Sequence, residues 1–156
     1  MSERFKKIYA PNLVALLIDT RTERDISGRV LHLYEEEAIP FAGASDLVIR
    51  LDALYDAWSY PQRATSQRYF KDSDKEPLKA ATTHLATRDK ARTMDELYEA
   101  RGEMATFMLF VEYRQNASWQ GQIIRLEDGC TKSFQSVLEL MRTVDKSLGA
   151  AGEEAQ

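Results

Sequence analysis

Apolar positions along the chain fall into short runs of strand type, each followed by a longer stretch of helical period. Leu13 to Ile18 is almost wholly apolar, and a polar stretch from Thr20 to Asp25 then leads through Gly28 into Val30, Leu31 and Leu33. Two strands joined by a short glycine-bearing turn is the simplest reading. Phe107 to Val111 begins the same arrangement again, with polar Glu112-Tyr113-Arg114, then Gly121, then Ile123 to Leu126. Aromatic and β-branched residues dominate both runs there, so a β-hairpin is predicted. After the first hairpin, Leu47, Leu51, Leu54 and Trp58 recur at helical spacing with Val48 and Tyr55 beside them. After the second, Val137, Leu140, Met141, Val144 and Leu148 do so. Ser136 followed by Glu139 is a capping-box pattern, and Gly43 with Asp46 keeps its logic. Pro61 and Gly149 are the predicted helix ends.

A gapless shift of 93 positions, which carries Gly28 onto Gly121, relates the two stretches. It places Leu16, Arg21, Leu33, Phe41, Leu47 and Asp52 on Leu109, Arg114, Leu126, Phe134, Leu140 and Asp145. Seven identities fall in the 42 pairs that begin at residues 14 to 55, against roughly two or three expected from average residue usage. The excess favours two copies of one unit. The predicted fold is therefore α+β: a single domain, 1–156, with internal repeats at about 13–58 and 106–149. Each repeat reads strand-strand-helix, and together they make a four-stranded antiparallel sheet with both helices on one face. The shared glycines are expected at φ > 0 or at a bulge. Residues 62–103 form an irregular, partly helical connector, with a loop at Lys71 to Pro77 and a short helix near Thr93 to Gly102. The small, acidic tail from Ala150 is expected to fray.

Composition narrows the classes. With 156 residues, 44% of them hydrophobic and 29% charged, the chain is that of one ordinary globular domain. A net charge of −4 sets nucleic acid behind other partners. One cysteine, Cys130, precludes an internal disulfide, and with only His32 and His84 no Cys/His zinc set can form. The charged start has no apolar h-region, and no apolar run reaches spanning length. A cytoplasmic protein without a membrane partner is expected. The edges of a small sheet make homodimerisation a further expectation.

The sharpest chemical feature is the connection Tyr113 to Gly121, where an arginine, amides, a hydroxyl and an indole crowd one turn. Such a mixture recurs at interface hot spots. The candidate binding residues are Arg114, Gln115, Asn116, Ser118, Trp119, Gln120 and Gly121, with Trp119 as apolar anchor and Arg114 as charged donor. At equal weight stands a purely structural reading, in which Trp119 caps the apolar sheet face and Ser118 and Asn116 hold the turn. The first copy has Ile26 where the second has Trp119, which marks the second turn as the specialised one. Asp52 and Asp145 either bond Arg21 and Arg114 or are solvated, and solvation is the preferred reading. No catalytic or metal-binding residue and no cofactor is predicted: no nucleophile signature surrounds Cys130, His32 or His84, and Glu35 to Glu37 is a solvated strand end. His32 is expected on a sheet surface.

Two resemblances follow from these residues. Asn116-Ala-Ser118-Trp-Gln-Gly121 and Arg88-Asp-Lys-Ala-Arg92 resemble the two halves of the PilZ signature, which implies cyclic di-GMP held by arginines. Tyr113 to Gly121, with Ser133-Phe-Gln-Ser-Val-Leu-Glu-Leu140, resembles a family of short uncharacterised bacterial proteins carrying a YRQNASWQG turn and a SFxSxLEL helix, which implies a bacterial source and no activity. The expected function is a non-enzymatic recognition or regulatory module using the turn 114–121, with an unknown protein or small-ligand partner. The alternatives are a PilZ-like cyclic di-GMP sensor and a single-strand nucleic-acid binder stacking bases on Tyr113 and Trp119.

Overall fold

The computed structural model describes residues 5–23, 25–60, 63–64, 85, 87–115 and 118–154. In chain order the elements are β1 (Val14–Arg21), β2 (Ile26–Leu31), β3 (Ile39–Ala42), α1 (Ala44–Trp58), β4 (Arg63–Ala64), α2 (Met94–Glu99), β5 (Ala105–Gln115), β6 (Ser118–Arg125), β7 (Thr131–Phe134) and α3 (Val137–Glu154). Six strands run antiparallel in the order β3-β2-β1-β5-β6-β7, and the two-residue β4 lies parallel to β5. The expected four-stranded sheet is thus corrected to six strands, with a third strand in each half. Those strands escaped the sequence pattern because each spans four residues and buries one side chain, Phe41 or Phe134. Four-residue edges with a single inward position carry no detectable alternation.

Pairing in the two halves follows one register. Gly28 faces Ile18 and Phe41, while Gly121 faces Val111 and Phe134. A bulge interrupts β1 between Ile18 and Thr20, and β5 between Val111 and Tyr113. At each bulge the opposing glycine lies under a backbone carbonyl: a Cβ on Gly28 would stand 1.9 Å from the Leu17 oxygen, and one on Gly121 1.9 Å from the Phe110 oxygen. Only a residue without Cβ fits. Neither glycine has positive φ, so the bulge and not the turn explains them. At the sheet centre β1 meets β5, with Ala15 opposite Met108 and, to either side, Val14 opposite Leu109 and Leu16 opposite Phe107. Shifting by 93 exchanges these flanking pairs, so the pairing pattern has a twofold axis at Ala15/Met108.

The two long helices cover one sheet face. Leu47, Leu51, Tyr55 and Trp58 of α1, with Leu140, Val144 and Leu148 of α3, pack on Val14, Leu16, Ile18, Phe107, Leu109, Val111 and Ile123. The other face carries Leu13, Ala15, Leu17, Met108 and Ile124 and is closed by Leu97 and Tyr98 of α2, with Phe5 and Ile8 beside them. The predicted short helix is α2, fixed by a Thr93–Glu96 capping box. Tyr98 ties the N-terminal segment down: its Oη accepts from the Ile8 N–H at 2.7 Å and donates to the Ile8 carbonyl at 2.8 Å. Helix α3 runs through Gly149 to Glu154, so the expected stop at Gly149 is corrected. Helix α1 ends at Ser59, held in the left-handed region at φ 54°. Pro61 and the Lys71 to Pro77 loop lie outside the described residues.

Candidate functional site

The second hairpin is tighter than expected. Strand β5 runs to Gln115 and β6 resumes at Ser118, so most of the supposed turn is paired strand, with Arg114 opposite Trp119 and Tyr113 opposite Gln120. The bulge explains the difference, because one extra residue moves the inward position from Tyr113 to Arg114 and breaks the alternation on which the expectation rested. Trp119 is 3% exposed and Arg114 2%. The indole meets the Tyr55 ring edge-on, centroids 5.6 Å apart. The Arg114 guanidinium lies over the same ring, and its Nη1 reaches Asp52 at 3.2 Å and Asp56 at 2.9 Å. Ser118 Oγ donates to the Gln135 carbonyl at 3.0 Å, Gln120 is half-buried, and Gly121 lies under its carbonyl. Asn116 and the side chain of Gln115 lie outside the described residues. The anchor role for Trp119 is therefore corrected: the indole is a core residue, and Tyr113 is the exposed ring on this hairpin.

The corresponding place in the first half is open. A cleft of about 300 Å³ lies there, lined by Arg21, Thr22, Glu23 and Asp25 of the β1–β2 turn, by Ile26 and Ala44, and by Met141, Val144 and Asp145 of α3. Arg21 keeps 31% of its side chain exposed and pairs with one carboxylate, Asp145, at 3.1 Å. Arg21 and Asp145 are related by the 93-residue shift to Arg114 and Asp52, so each half completes the other's arginine. The preferred solvated reading of Asp52 and Asp145 is thereby corrected. Asp25 shapes the floor: its Oδ1 accepts from the Ile26 N–H at 2.9 Å and from the Ala44 N–H at 2.7 Å, which caps α1 from another loop. Gly43, the N-cap itself, has φ 103° and no side chain with which to do this.

Four of the substitutions between the two places bear on how they are filled. Ile26 stands for Trp119, Leu148 for Tyr55, Gly149 for Asp56 and Asp25 for Ser118. The copies were expected to diverge at the second turn, yet there the larger side chains fill space, and it is the first turn that leaves it open. The swaps are legible in the aligned halves; which of them opens a cleft is decided by packing.

Other residues singled out in the sequence have structural partners. His32 is 1% exposed, a correction to its expected surface position. Its Nδ1 accepts from the Tyr34 N–H at 3.0 Å, and its ring packs edge-on against Trp58. Burial holds its imidazole below the ordinary value, opposed by Glu35 and reinforced by Arg92 and Arg88. Burial likewise pushes Tyr34 up to about 12. Arg92 Nη2 donates to the carbonyls of Glu35 and Glu36 at 2.8 and 2.7 Å, while Ser118 is tied to residue 135. The two halves of the PilZ-like pattern thus serve different turns. Cys130 is exposed, and His84 lies outside the described residues. Among the described residues no three His, Cys, Asp or Glu side chains gather as metal ligands, and no helix is long and apolar enough to cross a membrane. Comparison of the chain with protein-family models, curated proteins and solved structures finds no match.

Proposed function

We propose that the protein is a recognition module, binding a ligand or partner without transforming it, and that its contact site is the cleft at Arg21. The carrying observation is the contrast between the halves: about 300 Å³ stands open beside Arg21, where the other half fills the same place with Trp119 and a second carboxylate. Groups lining the cleft suit holding better than chemistry, since Asp25 is occupied by two backbone amides and Asp145 by Arg21. Mixed apolar and polar lining of this size is what small-ligand sites offer. The matched register supports descent of the halves from one duplicated unit, and the composition supports a cytoplasmic setting.

Methyl-resolved NMR with a mixed set of small aromatic, cationic and anionic compounds tests the reading. Compounds that bind should shift the methyl signals of Ile26, Ala44, Met141 and Val144. An Ile26→Trp, Gly149→Asp double variant, which copies the filled half, should lose those shifts. Binding that maps elsewhere, or that the filled variant retains, would overturn the assignment.

A further inference from the structure

The filled half is a template for whatever enters the open one. Around Arg114 the filling consists of an indole, the face of a phenol ring and two carboxylates. Among the described residues Arg21 pairs with one carboxylate, Asp145, and Ile26 and Leu148 stand in place of the two rings. Gly149 occupies the helix position that carries Asp56 in the other half, and a Cβ there would stand 3.8 Å from Arg21 Nη2. A carboxylate at this place would therefore be within reach of the guanidinium, and Gly149 itself provides none. Relative to the filled half, the open cleft lacks an aromatic ring and the helix carboxylate beside the arginine, while its turn adds Glu23 and Asp25. We infer that it binds a planar aromatic ring bearing a carboxylate, the ring lying on Ile26, Met141 and Val144 and the carboxylate pairing with Arg21 beside Asp145.

This assignment rests on the reading of the cleft as the contact site and adds the ligand class. Guanidinium pairs with planar carboxylates in two-point fashion, and the Arg21 side chain stays 31% exposed while paired with Asp145. Two of the three lining acids are already compensated, Asp145 by Arg21 and Asp25 by the amides at the start of α1. Glu23, exposed at the rim, remains and opposes an anion. Its removal should therefore tighten binding. The same chemistry is offered by a free aromatic acid and by a partner segment with an aromatic residue next to Asp or Glu.

Calorimetry with indole-3-propionate and with an N-acetyl-Trp-Asp amide separates those sources: the assignment expects binding of at least one, and the tighter probe identifies the source. Arg21→Met should weaken it about tenfold or more, Glu23→Gln should strengthen it, and the Ile26→Trp, Gly149→Asp variant should abolish it. The reciprocal Trp119→Ile, Asp56→Gly variant should open a second site and raise the stoichiometry from one to two. Should that variant fail to fold, Arg21→Met decides alone, because its side chain is exposed and its loss leaves the core intact. Binding of neither probe, with other compounds still displaced by the filled variant, would overturn the ligand class and leave the cleft standing. Probe binding indifferent to both Arg21→Met and the filled variant would overturn both.

Discussion

Arg114 and Arg21 hold the same place in the two halves and bear different loads. Arg114 is buried against Tyr55 between two carboxylates that are themselves 36% and 53% exposed. Replacing it with methionine keeps the stem's packing and takes the guanidinium away from two acids. Unpairing a fully buried ion pair costs about 3 to 5 kcal/mol; with both acids partly in water, a loss of about 2 to 3 kcal/mol is expected. Arg21→Met removes an exposed pair and should cost under about 1 kcal/mol. Urea unfolding of both variants checks the difference, and equal losses would contradict the contrast between the halves. His32 gives a second expectation at this scale. Its folded pKa is depressed by burial, so the unfolded chain takes up the proton first. Stability is then full above the ordinary value of about 6.5 and declines as pH falls below it. His32→Gln should flatten the stability profile between about pH 6.5 and 5 relative to the parent. An unchanged slope would mean that the imidazole is not held neutral.

Element by element, the sequence was readable where one residue type repeated at one period, and opaque where a single residue changed the phase. The stripes Leu47, Leu51, Leu54, Trp58 and Val137, Leu140, Met141, Val144, Leu148 marked α1 and α3 because helices packed on a sheet keep a constant period. The bulges at residues 18–20 and 111–113 did the reverse. Each shifts every later side chain of its strand to the other face, which turned Arg114 inward and made a strand look like a loop. Strands β3 and β7 were too short to show a period at all. The open cleft was half legible, in the pair Ile26 and Trp119, but its wall on α3 comes from a helix 120 residues away in the chain, which only the fold brings near. Helix α1 is also capped from outside its own sequence. Asp25 satisfies the Ala44 amide that Gly43 leaves open, so Asp25→Ala should cost about 1 kcal/mol, lowering Tm by about 2 to 4 °C. Asp25→Asn retains the accepting oxygen and should lose less than half of that in a thermal melt monitored at 222 nm by circular dichroism. Equal losses would show that the charge at the helix start, and not the hydrogen bond, holds the cap.

At the scale of the molecule the halves are not separable, and the reason is the exchange of partners across the axis at Ala15/Met108. Helix α1 begins beside its own third strand and reaches Arg114 and Trp119 of the second half, while Asp145 of α3 returns to Arg21 of the first. One apolar cluster contains both Leu47 and Leu140, and both Trp58 and Trp119. Releasing either half would expose the inner edge of β1 or β5 together with the apolar surface beneath a helix. Both costs fall on any state with a single half folded, so such a state should not accumulate. Tryptophan fluorescence, which reports on Trp58 and Trp119, and far-ultraviolet circular dichroism, which reports on the helices and the sheet, should therefore give one urea midpoint and one slope. Trp119→Phe, which removes one reporter and some core contact, should move both midpoints down together. If fluorescence and dichroism separated in that variant, the half containing Trp119 would be unfolding by itself, and the shared core could not be what holds the two halves together.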